Sequence, residues 1–375
     1  MDDPIKYHRM LQGKIRVVAK KPLNKENLKL VYTPGVGKAS ELIKKKKSEV
    51  NLLTGKNNSV AIVTDGSAVL GLGDIGPEAA LPVMEGKAAI FSHFAGINAY
   101  PICIRSKEVS EIVRTVKDIA PSFGGINLED IAAPKCFEVL SRLEDELDIP
   151  VFHDDQDGTA IVVLAGLINA IRITNRNKSA KIIISGAGAA GIAIARLLDF
   201  YGFQNYCLCD SSGVLSDCRS DLSGYKKKMM KKSQAKCPCS NCSDALLGSD
   251  VLIGVSRPNQ FSAKDIKTMN LNPIIFALAN PVPEIMPEKA RQGGAKIIAT
   301  GRSDFPNQIN NALVFPGLFK GLLESGINKM NPKIMVNVAE SIANMVKNPK
   351  DNQIIPSLFD KGLVETVSDA VKRSK

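Results

Sequence analysis

The segment KIIISGAGAAGIAIARLLDFYG, residues 181–202, joins a β-branched apolar run to an apolar helical pattern through a glycine-rich turn. Gly186, Gly188 and Gly191 follow the spacing GxGxxG, which between a strand and a helix is typical of dinucleotide-binding folds. Gly186 permits a tight turn, Gly188 lets a pyrophosphate approach the backbone, and Gly191 allows the helix and strand to pack closely. The segment therefore predicts a parallel sheet that binds a dinucleotide, with a plain strand–turn–helix as the alternative.

An acid closes the next apolar run, because Asp210 in CLCDSSG stands 19 residues after Gly191. This position normally contacts the ribose hydroxyls of the adenosine. The predicted cofactor-binding residues are Gly186, Gly188, Ala189, Ala190, Gly191 and Asp210. A carboxylate repels a ribose phosphate, so Asp210 favours NAD over NADP. Ser211 and Ser212 could nevertheless contact a phosphate, and the choice between NAD and NADP stays open.

Upstream of the glycine-rich turn, apolar runs alternate with helical patterns, as in mostly parallel sheets. The predicted strands are 59–65, 97–105, 125–131 and 150–154, and the predicted helices are 77–96, 108–123 and 134–148. A nearly all-apolar helix at 158–175 precedes the second unit. We predict an α/β protein with a substrate and metal domain at 1–158 and a Rossmann-type NAD(P)-binding domain with C-terminal helices at 159–375.

Composition limits the class of protein. A chain of 375 residues accommodates two such domains, and a hydrophobic fraction of 44% is ordinary for a globular protein. No apolar run reaches the ~18 residues of a membrane span, and the N-terminus lacks a signal-peptide core. We expect a cytoplasmic protein without a membrane partner. The net charge of +11 favours anionic partners, but no aromatic residues interleave the lysine runs, so we expect no nucleic-acid binding.

Six of the eight cysteines lie between Cys207 and Cys242. The group CPCSNC offers three thiols, from Cys237, Cys239 and Cys242, and has no histidine nearby to complete a zinc site. We expect reduced thiols that pack as small hydrophobes or lie in a surface loop, with zinc binding as the alternative.

Two pairs of acids follow apolar runs in the first half of the chain, Glu129–Asp130 in INLEDI and Asp154–Asp155 in PVFHDDQDG. Asp130 and Asp155 are 25 residues apart with one helix between them, which is the spacing of a β–α–β unit. Both strands would then end at one sheet edge. Four carboxylates there would repel one another without protons or a cation. They predict a Mg²⁺ or Mn²⁺ site, with unrelated solvated loops as the alternative.

Several stretches together resemble the malic enzymes, specifically the short form found in bacteria and some protists. They are LVYTPGVG, VTDGSAVLGLGDIGPEAALPVMEGKAAIF, INLEDI, PVFHDDQDGTA, SGAGAAG, FALANPVPE and ATGRSDFPNQINNALVFPG. The resemblance runs from about residue 15 to residue 330. It implies oxidative decarboxylation of (S)-malate to pyruvate and CO₂ with NAD or NADP and Mg²⁺ or Mn²⁺, by a homodimer. A side activity as oxaloacetate decarboxylase is expected from the same chemistry.

The resemblance also implies roles for individual residues. Tyr32 of VYTPGV would be the general acid and Lys87 of MEGKAAIF the general base, with Asp154 relaying protons near Lys87. The implied metal ligands are Glu129, Asp130 and Asp155, and the implied substrate contacts are Asn280, which would also meet the nicotinamide, and Asn311. Apolar neighbours of Lys87 make burial and a lowered pKa plausible. Without the resemblance, Tyr32 could simply precede a turn and Lys87 could be an exposed helix residue.

One position departs from the larger eukaryotic-type malic enzymes. Those enzymes carry an arginine that binds a substrate carboxylate where this chain has Ala68. Our hypothesis is that Lys20 or Lys21 of a partner subunit binds that carboxylate. Two other functions remain open: a metal-dependent hydroxyacid oxidoreductase that stops at the keto acid, and a non-catalytic NAD-binding scaffold.

Overall fold

The computed structural model describes residues 3–69, 71–222, 224–235, 237–238 and 240–375. The strands are β1 (Ser59–Thr64), β2 (Asn98–Cys103), β3 (Gly125–Leu128), β4 (Val151–His153), β5 (Ile182–Ser185), β6 (Tyr206–Asp210), β7 (Gly213–Val214), β8 (Val251–Gly254), β9 (Ile274–Ala277) and β10 (Ile297–Thr300). They form a four-stranded sheet in the order β2-β1-β3-β4 and a six-stranded sheet in the order β10-β9-β8-β5-β6-β7. Only β7 runs antiparallel among these described strands. The predicted α/β fold with parallel sheets is confirmed.

Sixteen α-helices surround the sheets in the described part of the chain. They are α1 (Pro4–Leu11), α2 (Lys25–Val31), α3 (Val36–Lys45), α4 (Val50–Leu53), α5 (Pro77–Ile90), α6 (Val109–Ile119), α7 (Lys135–Glu146), α8 (Thr159–Ile173), α9 (Ala189–Tyr201), α10 (Gly224–Lys232), α11 (Cys242–Ala245), α12 (Ala263–Ile266), α13 (Pro287–Gln292), α14 (Phe315–Ser325), α15 (Pro332–Met345) and α16 (Leu363–Lys372). The predicted strands and helices of the first half all occur, with ends shifted by a few residues.

Helix α8 is the apolar helix that the sequence places before the second sheet. The helical stretch Asp154–Ile173 is the one described helix that is long and apolar enough to cross a membrane, yet 83% of its most apolar window is buried. It packs against α9 and α15. Its apolar surface is therefore used inside the protein, as the sequence predicts.

Helix α14 connects the end of the chain with the first sheet. The Phe319 ring lies 5.5 Å from that of Phe91 and 6.0 Å from that of Phe152, measured between centroids. Gly125 of β3 leaves the space for this packing, because a Cβ there would lie 2.9 Å from the Phe319 ring. The first sheet thus uses a helix from beyond residue 158, and the predicted division at 158/159 stays a prediction.

The N-terminal segment, residues 3–58, is much less buried than the rest of the described chain. None of the residues of α1 to α4 is buried. Large apolar side chains such as Val17, Leu30 and Tyr32 are well exposed. Apolar surface on this scale is normally covered by a partner. The helices α1 to α4 therefore form no buried core within the chain, although Lys14 holds the segment to α5 through the Glu85 carboxylate and the Pro82 carbonyl.

The cysteine-rich region corrects one expectation. Cys207 and Cys237 form a disulfide, so these two thiols are not reduced as expected. The reason is tertiary: the chain after α10 returns along β6, where Ser233 donates to the Tyr206 carbonyl and brings Cys237 beside Cys207. Cys242 is a buried free thiol, as expected. Cys239 lies outside the described residues, and the zinc alternative for CPCSNC loses one of its three thiols, because Cys237 is in the disulfide.

Candidate active site

The two acidic pairs meet at one edge of the first sheet. Strands β3 and β4 pair in parallel with their last residues in register, so both pairs leave the sheet together. Carboxylate oxygens of Glu129, Asp130 and Asp155 lie within 4.8 Å of one another. The convergence predicted from the β–α–β spacing is confirmed, and the solvated-loop alternative is wrong.

Local backbone geometry turns neighbouring acids towards one point. Asp130 has φ +53°, and its N–H donates to Asp155 Oδ2 at 2.8 Å. Asp154 and Asp155 begin a wide π-helical turn, Asp154–Gly158, which replaces the alternation of a strand. Burial raises the pKa of Glu129 well above its usual value, although the positive charge of Lys87 opposes this shift. A donor set that consists only of oxygens, is buried at Glu129 and Asp130 and half-buried at Asp155, and carries mutually repelling charges fits a hard divalent cation.

Lys87 projects from α5 into this acidic cluster. The side chain is 8% exposed, and Nζ lies 2.6 Å from Glu129 Oε2 and within hydrogen-bonding distance of Asp154 Oδ2. Nζ also lies 4.3 Å from the centroid of the Phe315 ring. The expected burial is confirmed. The expected lowered pKa is wrong for this arrangement, because burial lowers the pKa of Lys87 but the charges of Asp154 and Glu129 raise it further.

Asp154 is held from two directions. Its carboxylate, which is fully buried, contacts Lys87, and its backbone carbonyl accepts a hydrogen bond from Asn311 Nδ2 at 3.1 Å. Thr159 Oγ1 donates to Asn311 Oδ1 at 3.2 Å, which orients the Asn311 amide. Asn311 thus ties the segment before α14 to the turn that carries the acids.

A cleft of about 650 Å³ lies between the two sheets. The side of the first sheet contributes Lys87 and the acids Glu129, Asp130, Asp154 and Asp155, and the side of the second contributes Ala190, Asn280 and Asn311. Asn280 lies in the loop between β9 and α13, and its peptide bond to Pro281 is cis. Lys87, the four acids, Asn280 and Asn311 are thus brought together, and each role stays a prediction.

Tyr32 is the predicted catalytic residue that the structure does not bring there. It follows α2 in the N-terminal segment, is 69% exposed, and is not among the residues that line the cleft. Lys20 and Lys21 are also exposed in that segment, whereas Ala68 lines the cleft. Arg257 lines the cleft as well and escaped the sequence analysis, although its position in VSRPN directly after a predictable strand was a usable signal.

The glycine-rich turn borders a second cavity of about 590 Å³. Gly186 has φ +118°, which favours glycine. A Cβ at Gly191 would lie 1.7 Å from the Gly186 carbonyl oxygen, so α9 packs against the turn only with glycine there. Gly188 has no heavy atom within 4 Å of its own virtual Cβ, which leaves room for a ligand. This local geometry matches the purposes that the spacing assigns to the three glycines.

Asp210 lies at the edge of the same cavity and is engaged by two cations. Arg219 Nη1 donates to Oδ1 at 2.7 Å, and Lys226 Nζ donates to Oδ2 at 2.6 Å. Burial acts to raise the pKa of Asp210, but the hydrogen bonds from Arg219 and Lys226 lower it to about 2. The carboxylate is therefore ionised, and Arg219 and Lys226 of the following segment balance its negative charge.

Two buried carboxylates, Glu284 and Asp65, support the site without lining the cleft themselves. Glu284 accepts hydrogen bonds from the Ser256 N–H at 2.7 Å and the Ala279 N–H at 3.0 Å, which ties together the loops after β8 and β9. Asp65 accepts from Lys135, beyond the Glu129–Asp130 turn. The sequence analysis missed both networks, because the partners Ser256 and Lys135 lie far from Glu284 and Asp65 along the chain.

The chain matches two family models, "Malic enzyme, N-terminal domain" at residues 12–109 and 104–144 and "Malic enzyme, NAD binding domain" at residues 156–372. It is 47% identical over 363 residues to an NAD-dependent malic enzyme of Geobacillus stearothermophilus, covering 96% of this chain and 76% of that protein. It is 40% identical over 390 residues to an NADP-dependent malic enzyme of Halomonas elongata, covering 98% and 92%.

A solved structure of an NAD-dependent malic enzyme from Thermotoga maritima superposes with a TM-score of 0.95 at 45% identity, covering 99% of both chains. The resemblance predicted from the motifs is thereby confirmed over both sheets and the cleft between them. The chain belongs to the malic enzyme family.

Proposed function

We propose that the cleft between the sheets oxidises and decarboxylates (S)-malate to pyruvate and CO₂, using NAD(P) and a divalent metal. One observation supports this most: a single cleft is lined by Lys87 and the acids on one side and by Ala190 of the glycine-rich turn on the other. A hydride acceptor bound at that turn and a cation bound by the acids would therefore reach the same small substrate.

Glu129, Asp130 and Asp155 would hold Mg²⁺ or Mn²⁺. When bound there, the cation would supply Lewis-acid polarisation of the substrate and would offset the negative charge that raises the pKa of Lys87. NAD(P) held at Gly186, Gly188 and Gly191 would supply the hydride acceptor.

Lys87 would take the proton of the C2 hydroxyl as the hydride leaves C2. It is the one lysine of the described residues that lines the cleft, and the buried Asp154 holds its Nζ towards the acids. Asp154 would also relay the proton away from Lys87. Asn280 and Asn311 would hold the substrate and, in the case of Asn280, the nicotinamide against the same edge. Each of these roles requires a side chain in the cleft, where all four lie.

The C3–C4 bond of the resulting oxaloacetate would then break, releasing CO₂ and leaving the enolate of pyruvate. Tyr32 would protonate C3 of that enolate. Oxaloacetate supplied from solution would enter at the same step, which is the basis for an oxaloacetate decarboxylase side activity. An oxidoreductase that stops at the keto acid would instead release oxaloacetate.

Purified protein mixed with (S)-malate, Mn²⁺ and either NAD or NADP tests the proposal. We expect reduced nicotinamide and pyruvate in equal amounts, and we expect EDTA to abolish both. Oxaloacetate accumulation without CO₂ would favour the oxidoreductase that stops at the keto acid. The absence of reduction with either cofactor would favour the non-catalytic scaffold.

A homodimer would complete this site. Tyr32 lies in the N-terminal segment, whose helices bury no residue within the chain, and it does not line the cleft. In a homodimer, each subunit would cover the apolar N-terminal segment of the other. The segment of each subunit would then carry Tyr32, Lys20 and Lys21 into the cleft of the other subunit. The site would then be shared between subunits, and Lys20 or Lys21 would replace the arginine absent at Ala68.

A mixed dimer provides the test of this sharing. Tyr32→Phe and Lys87→Ala proteins are each expected to be inactive, because each lacks one proton-transfer group. Unfolding and refolding an equimolar mixture should restore about a quarter of the wild-type activity, because half of the dimers are mixed and one site in each is intact. The refolded mixture could instead be as inactive as its two components although the protein is a dimer in solution. That result would show that Tyr32 and Lys87 of the same chain act in one site.

The cation pair at Asp210 changes the expectation for the cofactor. Asp210 alone favours NAD, but Arg219 and Lys226 neutralise its charge, and Lys226 borders the cavity where a ribose phosphate would lie. We therefore propose that the site also accepts NADP, with Lys226 as a phosphate contact.

Lys226→Gln is expected to raise KM for NADP about tenfold, since a charge-assisted hydrogen bond is lost, and to change KM for NAD little. Initial rates with both cofactors measure the ratio. Lys227→Gln is the matched control, because Lys227 is exposed beside it and does not line the cavity. Equal effects of Lys226→Gln on both cofactors would contradict a phosphate contact.

We also propose a cytoplasmic location, since the apolar helix α8 is enclosed by protein.

A further inference from the structure

The loop that follows β8, residues 255–260, lies between the dinucleotide cavity and the cleft. Val255, Ser256 and Arg257 line both of them, and they are the described residues that the two linings share. The acids of the first sheet line only the cleft, and Asp210 lines only the dinucleotide cavity. A ligand that extends from Asp210 to the acids therefore passes this loop.

The backbone of the loop is anchored against the glycine-rich turn. The Val255 N–H donates to the Ser185 carbonyl at 2.8 Å, and a Cβ on Gly186 would lie 2.5 Å from the Val255 carbonyl oxygen. On its other side, the Ser256 N–H donates to the buried Glu284 carboxylate at 2.7 Å. The loop is therefore held directly beside the turn whose spacing predicts a pyrophosphate site.

Arg257 carries unused positive charge in this loop. Among the described residues, its side chain makes no hydrogen bond, no ion pair within 4 Å and no ring contact. The other basic residues that line the two cavities are both paired, Lys87 with the buried acids and Lys226 with Asp210. Arg257 is thus the basic side chain of the described lining that is left for an anionic ligand.

A dinucleotide would place an anionic group at this position. In this type of fold the adenosine ribose lies at the acid that ends the second strand, here Asp210, and the pyrophosphate lies at the glycine-rich turn. Gly188 leaves room for it, since no heavy atom lies within 4 Å of its virtual Cβ. The pyrophosphate joins the adenosine to the nicotinamide ribose, so it lies where the dinucleotide cavity meets the cleft. Arg257 borders both spaces there.

We infer that Arg257 binds the pyrophosphate of NAD(P). Its guanidinium donates a pair of hydrogen bonds to phosphate oxygens, a geometry that lysine does not reproduce. A malate carboxylate would occupy the cleft alone, whereas Arg257 lines both cavities. The contact is common to both cofactors, unlike that of Lys226, because NAD and NADP contain the same pyrophosphate. The inference rests on the proposed binding of NAD(P), but it does not require that malate is oxidised.

Isothermal titration of NADH and of NADPH into the full-length protein, with EDTA present and malate absent, measures cofactor binding alone. We expect Arg257→Gln to raise Kd for both cofactors about tenfold, because charge-assisted hydrogen bonds to phosphate are lost. The two increases should agree within about twofold, unlike the effect of Lys226→Gln, which we expect for NADP alone. Arg257→Lys keeps the charge without the planar fork and should recover part of the affinity.

Three controls separate a direct contact from a structural role. Arg291→Gln on α13 removes an exposed arginine that lines neither cavity, and both Kd values should stay unchanged. The melting temperature of Arg257→Gln should equal that of the wild type, because this side chain makes no hydrogen bond or ion pair with the described residues. Added salt should weaken cofactor binding more in the wild type than in Arg257→Gln, which lacks one of the charges.

Initial rates with Mn²⁺ distinguish the pyrophosphate from the other anion of the proposed site. We expect Arg257→Gln to raise KM for NAD and NADP and to change KM for malate little. A variant that binds NADH like the wild type but has a raised KM for malate would overturn the inference and assign Arg257 to a substrate carboxylate. A variant unchanged in both respects would overturn it as well, because Arg257 would then be a solvated side chain.

The same measurements keep this inference apart from the proposed reaction. A protein that binds NADH through Arg257 but never oxidises malate would refute the reaction and leave the pyrophosphate contact standing. Malate oxidation together with NADH binding that Arg257→Gln leaves intact would refute the contact and leave the reaction standing. A wild-type protein that binds neither NADH nor NADPH would overturn both.

Discussion

Lys87→Arg is expected to lower kcat for malate oxidation about 10³-fold while the protein stays folded. The reason is the pairing of Lys87 with Glu129 and Asp154, both of which are buried. Arginine keeps the positive charge that these carboxylates need, but it does not give up its proton in proteins and so cannot act as a base. Steady-state rates with Mn²⁺ and NAD(P) measure the loss, and thermal unfolding measures whether the fold is retained.

Whereas Lys87→Arg removes only the base, Lys87→Ala removes both the base and the positive charge. It leaves two buried carboxylates without their cation, so we expect both low activity and a lower melting temperature. Lys117→Met is the control, since it breaks an ion pair with Glu146 on the surface and should change neither quantity much. A Lys87→Arg protein that keeps more than about a tenth of wild-type kcat would exclude proton abstraction by Lys87.

Asp155→Asn is expected to produce opposite effects on activity and on metal-free stability. The amide removes one of three oxygen donors that lie within 4.8 Å of one another. We expect Mn²⁺ affinity to fall at least about 100-fold, with a matching loss of activity. Because burial raises the pKa of Asp155, its ionised form opposes folding at neutral pH, and without metal the variant should melt at a higher temperature than the wild type.

Mn²⁺ titration followed by thermal unfolding measures both effects. Wild-type protein should be stabilised by Mn²⁺, because binding to the folded state alone raises its melting temperature, and the variant should gain much less. Asp118→Asn, on the exposed face of α6, should behave as the wild type. An Asp155→Asn protein that retains the full Mn²⁺ shift would show that the cation binds elsewhere.

The paired acids illustrate what can be inferred without a structure. Their positions after two apolar runs, one helix apart, suffice to place them at one edge of a parallel sheet, because right-handed β–α–β connections allow few alternatives. The glycine spacing works in the same way, since Gly186 and Gly191 sit where the backbone permits nothing larger. In both cases the decisive contacts are local or follow from a single connection rule.

Lys87 shows where such reasoning fails. Its apolar neighbours correctly indicate burial, and burial alone would lower its pKa. The direction reverses because Asp154 and Glu129, 67 and 42 residues away in the chain, converge on its Nζ. The sequence analysis did not predict the Cys207–Cys237 disulfide or the cations that contact Asp210 for the same reason. Each of these features depends on how the segment after β6 folds back.

The sequence by itself determined the α/β class, the dinucleotide turn, the acidic edge and membership of the malic enzyme family, because these depend on periodicity, on glycine geometry and on the order of motifs along the chain. Only the tertiary structure decided which charges meet at Lys87, that Asp210 is neutralised, and that Tyr32 does not line the cleft of its own chain. These features depend on side chains distant in sequence, whose electrostatic interactions are set by distances that no local pattern encodes.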